Sequence, residues 1–354
     1  MQTECAFAVP GDMSAATGGY HYDRNLLAAL NAAGRNTRHI ALPASFPFPD
    51  VADMRTAIDA LAQVPPDCAL IVDGLAFGAL QTDALDRVTA PIVALVHHPL
   101  AHESGLPASQ AHRLRVLERA NLDRAAHVLV PSGHIRDVLC DGFGVAAERI
   151  TVLRPGKPDF RAPTGAAPDP GAPLILSVGL LHPRKGHDIL IAALAACADL
   201  AWRAVIVGTP WEPGHDDVLS GQIEAAGLAD RIELAGRVAP DRLARLYAEA
   251  RVFALATRYE GYGIVFDEAL VHGLPIVATS AGAVPGTVPT EAGTLVPAED
   301  ALAFAHALRP LLRDDAQHAR MAQAARRAGQ DLPTWADAAE TLGHILDRVR
   351  GRTP

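Results

Sequence analysis

The feature that most constrains this chain is a rhythm that runs through it twice. Short apolar, β-rich runs alternate with longer stretches of helical spacing. In the first half, Cys5–Val9, Thr37–Leu42, Cys68–Val72, Ile92–Val96, His127–Val130 and Ile150–Leu153 read as strands. Helices are expected between them at Tyr20–Ala33, Ala52–Val64, Gln110–Arg124 and His134–Cys140. Leu26, Leu27 and Leu30 have the i, i+1, i+4 spacing of one buried helix face. Near-continuous apolar strands between helices predict a parallel sheet covered on both faces. The segment Arg161 to Pro173, with four prolines and two glycines, then interrupts the pattern as a linker would. Beyond it the strands resume at Leu174–Val178, Ala204–Val207, Ile232–Leu234, Val252–Leu255, Ile276–Ala278 and Thr294–Val296. Helices are expected at His187–Ala196, Leu243–Ala250 and Val265–His272, and helices only from Ala301 to Arg350.

The expected organisation is therefore α/β: two doubly wound parallel-sheet domains, residues 1–160 and 174–333, joined by a linker at 161–173 and followed by a helical segment at 334–354. A ligand is expected in the cleft between the domains, at loops that follow strand C-termini. Composition excludes several other classes. The net charge of -9 disfavours a nucleic-acid partner. No apolar run reaches the roughly 18 residues of a membrane span, and Asp73 breaks the nearest one, Cys68–Leu80. Met1–Pro10 lacks the basic start of a secretory signal. Cys5, Cys68, Cys140 and Cys197 are far apart, which fits a reducing cytoplasm rather than a disulfide framework.

Four segments carry candidate chemistry. In Arg258–Pro275, a loop with Glu260, Gly261 and Gly263 leads into a helix near Ile264. A glycine-rich turn at a helix start presents free amides and the positive end of the dipole, which suits a phosphate or diphosphate. Glu268, about one turn on, can accept hydrogen bonds from a ribose diol, or simply balance the dipole. In Ser177–His187, Arg184 and Lys185 place two cations at a strand-to-helix crossover, suited to an anion. Lys185 and Lys157 are the only lysines in the chain, against 29 arginines. In Ala15–Arg24, Thr17 can cap a helix, and Gly18-Gly19 permits close backbone approach without forming a nicotinamide fingerprint. In Val93–Leu106, His97 and His98 fall at a strand C-terminus and Glu103 follows in the loop. No cysteine or aspartate cluster with metal-ligand spacing lies near them in sequence.

These segments together resemble the retaining, nucleotide-sugar-dependent glycosyltransferases of family 4, with the GT-B fold of two Rossmann-like domains. The resemblance rests on the Gly18-Gly19 loop, His97, Val130–Leu139, Leu153–Phe160, the VGLLHPRKG run ending at Gly186, Leu234–Val238, and the E-x7-E element Glu260 to Glu268. It extends to Trp335, where such chains cross back onto the first domain. The resemblance implies an N-terminal acceptor-side domain and a C-terminal donor-side domain. Lys185, with Arg184, would neutralise the donor diphosphate, and Glu268 would hold the ribose. Glu260 and His97 would reach the transferred sugar. Backbone at Gly263, Ile264 and Val265 would sit on the phosphates, with Arg237 and Val238 beside the base. Gly18 and Gly19 would approach the phosphate from the first domain.

The implied partners are a UDP- or GDP-sugar donor and an unidentified polar acceptor, met by Tyr20, His21, His98 and Glu103. No metal or other cofactor is expected, since side-chain cations and a helix N-terminus would stabilise the leaving group. Membrane attachment through Arg113, Arg115 and Arg119 is disfavoured by their acidic context. Two departures stand out. Leu180 occupies a position where the family often carries arginine, and Gly286 replaces the usual glutamate of a later GG-x-PE element. A GT-B sugar-nucleotide epimerase and a catalytically silent sugar-nucleotide-binding protein are the alternative readings.

Overall fold

A computed structural model describes residues 5–15, 17–103, 105–158 and 171–351. Of the expected linker, residues 161–170 lie outside those described, as does Phe160. The chain divides into two compact units, Met1–Gly156 with Pro333–Pro354, and Lys157–Leu332.

The first unit holds a six-stranded parallel sheet of β1 (Cys5–Pro10), β2 (Thr37–Leu42), β3 (Ala69–Asp73), β4 (Ile92–Leu95), β5 (His127–Val130) and β6 (Ile150–Val152). The strand order is β2-β1-β3-β4-β5-β6. Its helices are α1 (Gly18–Ala32), α2 (Val51–Ala62), α3 (Gly74–Phe77), α4 (Ala108–Arg124) and α5 (Gly133–Phe143). Every residue of β1, β3, β4 and β5 is buried, whereas the edge strands β2 and β6 keep partly exposed positions. That split is what a sheet covered by helices on both faces requires of its sequence.

The second unit holds β7 (Leu174–Val178), β8 (Arg203–Val207), β9 (Ile232–Gly236), β10 (Val252–Leu255), β11 (Ile276–Thr279) and β12 (Gly293–Val296). Their order is β12-β11-β10-β7-β8-β9, again parallel throughout. Around them lie α6 (His187–Ala195), α7 (His215–Ala225), α8 (Pro240–Glu249), α9 (Ile264–Val271), α10 (Val284–Thr287), α11 (Ala301–Arg313) and α12 (Asp315–Gln330). Two apolar clusters cover the sheet. One includes Ile175, Trp202, Ile206 and Phe304; the other includes Leu176, Tyr247, Phe253 and Phe266. Each such large side chain, fully buried, contributes roughly 1.5–3 kcal/mol relative to exposure.

The last helix, α13 (Trp335–Arg350), belongs to the first unit. Thr334 and Asp337 close a reciprocal capping box at its start. Ala338, Ala339, Leu342, Ile345, Leu346 and Val349 then join Tyr22, Leu26 and Leu30 of α1 in one apolar cluster. Arg35 holds the far end through two hydrogen bonds to Asp347, at 2.8 and 2.7 Å. Trp335 packs so closely on Gly156 that a Cβ there would lie 2.3 Å from the Trp335 amide nitrogen.

The strands and the long amphipathic helices fall where the periodicity puts them, to within a few residues. Helices α3, α7 and α10 are not delimited by it. Two of these are four residues long, and α7 buries only Leu219 and Ile223. Among the described residues, no helix is long and apolar enough to cross a membrane.

Candidate active site

In both sheets the strand order reverses direction at one point, and loops on either side of such a point form a crevice at the strand C-termini. In the second sheet the reversal lies between β7 and β10. The loops that follow those two strands carry Lys185 and Glu260, and the structure brings them together. Lys185 Nζ donates to Glu260 Oε1 at 2.6 Å, with side chains 13% and 7% exposed. The Thr257 hydroxyl lies 3.2 Å from the same oxygen. Glu260, which could equally have been a surface loop residue, is thus a buried, paired carboxylate.

Backbone geometry fixes this pair. Gly186, directly after Lys185, has φ +66°, and a Cβ there would sit 1.9 Å from the Ala256 carbonyl oxygen, so only glycine fits. Gly282 has φ +57° and lies against the Glu260 backbone, with the Ala283 amide donating to the Glu260 carbonyl at 2.8 Å. The backbone at Gly282 and Ala283, just before Gly286, therefore packs against the Glu260 loop. A Cβ at Gly286 itself would meet open space. Arg184 donates from its guanidinium to the Tyr259 carbonyl at 3.0 Å, which ties the two loops together beside the ion pair. Arg258 extends the tie outward, donating to both Asp188 oxygens at 2.9 and 2.8 Å and pairing with Glu299.

Gly263 caps α9 in the left-handed region, at φ +89°. Ile264 and Val265 occupy its first turn, where amides have no intrahelical acceptor. Their N–H groups and the helix dipole favour an anion there. One turn on, Glu268 accepts a hydrogen bond from the Tyr247 hydroxyl at 2.6 Å. Burial pushes Glu268 up to about 7 against that hydrogen bond, with the charge of Asp267 adding to the rise. Tyr247 itself stacks on His272, with ring centroids 4.9 Å apart. Arg237 is exposed and Val238 half-buried, just past β9 at the sheet edge; no hydrogen bond or ion pair connects them to the Lys185 pair among the described contacts.

In the first sheet the reversal lies between β1 and β3. Gly18 and Gly19 open α1, capped by Thr17, whose hydroxyl accepts the Tyr20 amide at 3.3 Å. A Cβ on Gly19 would lie 3.5 Å from His97 Cδ2, so the glycine turn and the histidine adjoin. His97 Nε2 is 2.8 Å from Asp23 Oδ1 and 3.6 Å from Asp73 Oδ2. Burial pulls the imidazole down, but the charge and hydrogen bond of Asp23 and the charge of Asp73 outweigh it, and His97 titrates above its ordinary value. Burial and the neighbouring Asp23 push the Asp73 carboxyl well up. Tyr20 faces the same pair; burial and then the charges of Asp73 and Asp23 raise its phenol.

The remaining first-unit candidates point elsewhere. The His21 ring meets Asn25 on its own helix at 3.2 Å. His98 lies edge-on to His102, with centroids 6.3 Å apart, and Glu103 is exposed. The short helical turn at Leu100–His102 is held by buried Glu118, which accepts the Leu100 amide at 3.1 Å and is pushed up to about 8 by burial.

One sequence expectation needs correction. Spacing showed no aspartate cluster beside the histidines, yet Asp23 and Asp73 reach His97 from separate elements, with ligand-type atoms of all three within 4.8 Å of one another. The 2.8 Å contact is a hydrogen bond and uses the imidazole N–H that a cation would have to displace. Sequence signals for both residues existed. Asp73 is the lone acid in an apolar strand run, and Asp23 lies three positions before Leu26 on the buried face of α1. Tyr247 and Thr257 carried no such signal.

Two family models match the chain: Glycosyltransferase Family 4 over residues 20–157 and Glycosyl transferases group 1 over residues 161–328. A curated relative, D-inositol 3-phosphate glycosyltransferase of Corynebacterium glutamicum, is 30% identical over 276 residues, 73% of this chain and 65% of the relative. The protein of the same name from Xylanimonas cellulosilytica is 33% identical over 184 residues, 52% of this chain and 44% of its own length. The chain thus spans about half to two thirds of the relatives it matches. Among solved structures, sucrose-phosphate synthase from Thermosynechococcus elongatus superposes with a TM-score of 0.82 at 22% identity, covering 99% of this chain and 100% of that one. Anabaena HepE in complex with UDP and glucose gives 0.79 at 18% identity, covering 97% and 100%. With two parallel six-stranded sheets, and with both halves matched in order, the chain belongs to the GT-B-fold glycosyltransferases of the family 4 type.

Proposed function

We propose that this protein is a retaining glycosyltransferase that moves a hexosyl group from a UDP- or GDP-sugar to a polar acceptor without a metal ion. The observation that carries the reading is the Lys185–Glu260 pair beside the start of α9, at the switch point of the second sheet. Cleaving the bond between the anomeric carbon and a nucleoside diphosphate leaves negative charge on the departing oxygen. A buried ammonium and first-turn amides, fixed before the reaction, stabilise that charge as it develops. In this reading Lys185 meets the diphosphate, with Arg184 anchoring the loop that carries it and facing the same anion. Ile264 and Val265 donate amides to the phosphates, and the left-handed turn at Gly263 aims them. Glu268, oriented by Tyr247, accepts the ribose hydroxyls. Glu260 contacts sugar hydroxyls and is held by Lys185 and Thr257. His97, with Gly18 and Gly19 beside it, meets the transferred sugar, and Tyr20 lies next to the acceptor.

The relatives' name supports a polyol-phosphate acceptor. The test is a panel of UDP- and GDP-sugars with polyol, polyol-phosphate and sugar acceptors, run with and without EDTA. Acceptor-dependent release of UDP or GDP that EDTA leaves intact supports the proposal. Conversion of the sugar nucleotide without acceptor would favour an epimerase, tight binding with no turnover would favour a silent binding protein, and loss restored by magnesium would reject the metal-free mechanism.

A further inference from the structure

The cluster at the switch point of the first sheet has more structure than contact with a sugar requires. Asp73 ends β3 and caps α3, with Oδ1 accepting the Leu75 amide at 2.9 Å. That leaves Oδ2 turned toward His97, 3.6 Å from Nε2. Asp23, on the buried face of α1, accepts from the same nitrogen at 2.8 Å. The two carboxylates are 1% and 5% exposed as side chains, and the ring between them is 22% exposed. The ring is also gripped from the side. Tyr22 meets it edge-on at 4.9 Å and is itself fixed by a hydrogen bond to the Leu153 carbonyl at 2.8 Å and by an edge contact with Trp335 at 5.3 Å. With Nε2 turned onto the carboxylates and Cδ2 beside Gly19, the geometry of an imidazole puts Nδ1 on the remaining edge. Neither carboxylate takes that atom.

From this arrangement we infer that Asp23 and Asp73 are positioning residues that hold His97 as a fixed imidazolium, presenting Nδ1–H to an oxygen of the bound substrate. One carboxylate would suffice to orient the ring. Asp23 also keeps it charged when a ligand strips away the last water, a change that would otherwise expel the proton, and Asp73, whose own carboxyl is pushed up by burial and by Asp23, adds to that hold when ionised. A charged N–H donor is roughly twice as strong as a neutral one, which suits a hydroxyl oxygen that has to be held firmly in one position. The inference rests on the proposed transferase reading for the identity of the ligand, but the state of the ring can be tested without it.

The experiment compares wild type with His97→Ala, Asp23→Asn, Asp73→Asn and the His97→Ala/Asp23→Asn double variant. Long-range proton–nitrogen NMR, with His97→Ala to assign the signals, reads the ring directly. The wild-type ring should show both nitrogens protonated at neutral pH, and Asp23→Asn should show a neutral ring. In transfer assays Asp23→Asn should lower kcat roughly 10²-fold while leaving donor KM within about threefold. Adding it to His97→Ala should cost no more than about twofold further, because it acts through that ring. Asp73→Asn should move both readouts the same way by less, and it decides the matter if Asp23→Asn does not fold. A neutral wild-type ring, losses that multiply in the double variant, or zinc binding to wild type that His97→Ala abolishes would each overturn the inference. If no sugar nucleotide is turned over, the transferase reading fails while the NMR result still judges the positioning.

Discussion

Replacing Lys185 by Met keeps most of the apolar stem of the side chain and removes its charge. Glu260 would then be left 5% exposed, with the Thr257 hydroxyl, 3.2 Å away and also near the Arg184 and Tyr259 carbonyls, as the close side-chain polar neighbour among the described residues. Breaking a buried ion pair by removing one partner typically costs 3–5 kcal/mol, because the other charge stays buried without compensation. Lys185 retains 13% exposure, so a loss of about 3 kcal/mol, at the lower end of that range, is expected. The double variant Lys185→Met/Glu260→Gln removes both charges and should recover about 2 kcal/mol of that loss. Urea unfolding followed by tryptophan fluorescence is a suitable assay, since Trp202 and Trp211 both lie in the second unit. Catalysis should behave differently from stability. Both variants should lose roughly 10²-fold in transfer rate, because neither supplies a cation to the leaving diphosphate. An unchanged unfolding midpoint in Lys185→Met would refute the burial argument. A double variant that regains full activity would refute the charge-stabilisation argument.

Three further outcomes are expected. Glu268→Ala should weaken UDP or GDP binding by roughly tenfold or more in calorimetric titration, since a hydrogen bond to a charged group contributes about 1.5–3 kcal/mol; equal affinity for both proteins would remove Glu268 from the nucleotide site. Gly186→Ala combines a left-handed backbone with a Cβ 1.9 Å from a carbonyl oxygen, so it should cost about 3 kcal/mol or more in thermal unfolding, and an unshifted midpoint would show that the loop is looser than described. His187 is buried, its Nε2 3.3 Å from the Leu180 carbonyl and its Nδ1 without a partner among the described residues, and burial holds its pKa down to about 4. Between about pH 6.5 and 4 the unfolded chain takes up a proton that the folded chain refuses, so His187 should lower stability by up to about 3 kcal/mol on acidification through that window. His187→Gln should flatten that part of the pH–stability curve, and an unchanged slope would place the acid sensitivity elsewhere.

Much of the fold is legible in the sequence because central parallel strands must be apolar on both faces, which leaves a signal that survives without any structural information. Strands such as Thr37–Leu42 and Leu174–Val178 are bounded by turn residues and fall where their composition puts them. The second-unit site is legible for a related reason. Lys185 and Glu260 lie 75 residues apart, but each sits in a short loop with a glycine in the left-handed region, Gly186 and Gly263. The first-unit cluster is less legible because its members come from a helix, a strand end and a loop, and their meeting depends on the strand order. A parallel pairing of β1 with β3 does not follow from either strand's composition. Tyr247 is hidden for a simpler reason: an aromatic at helical spacing looks the same whether it only packs or also donates its hydroxyl to Glu268.

The most direct test of the central claim is a crystal structure of the protein with UDP or GDP bound. The diphosphate should lie against Lys185 and the amides of Ile264 and Val265, with the ribose hydroxyls on Glu268. A nucleotide seated elsewhere, with the Lys185–Glu260 pair undisturbed and unoccupied, would contradict the account.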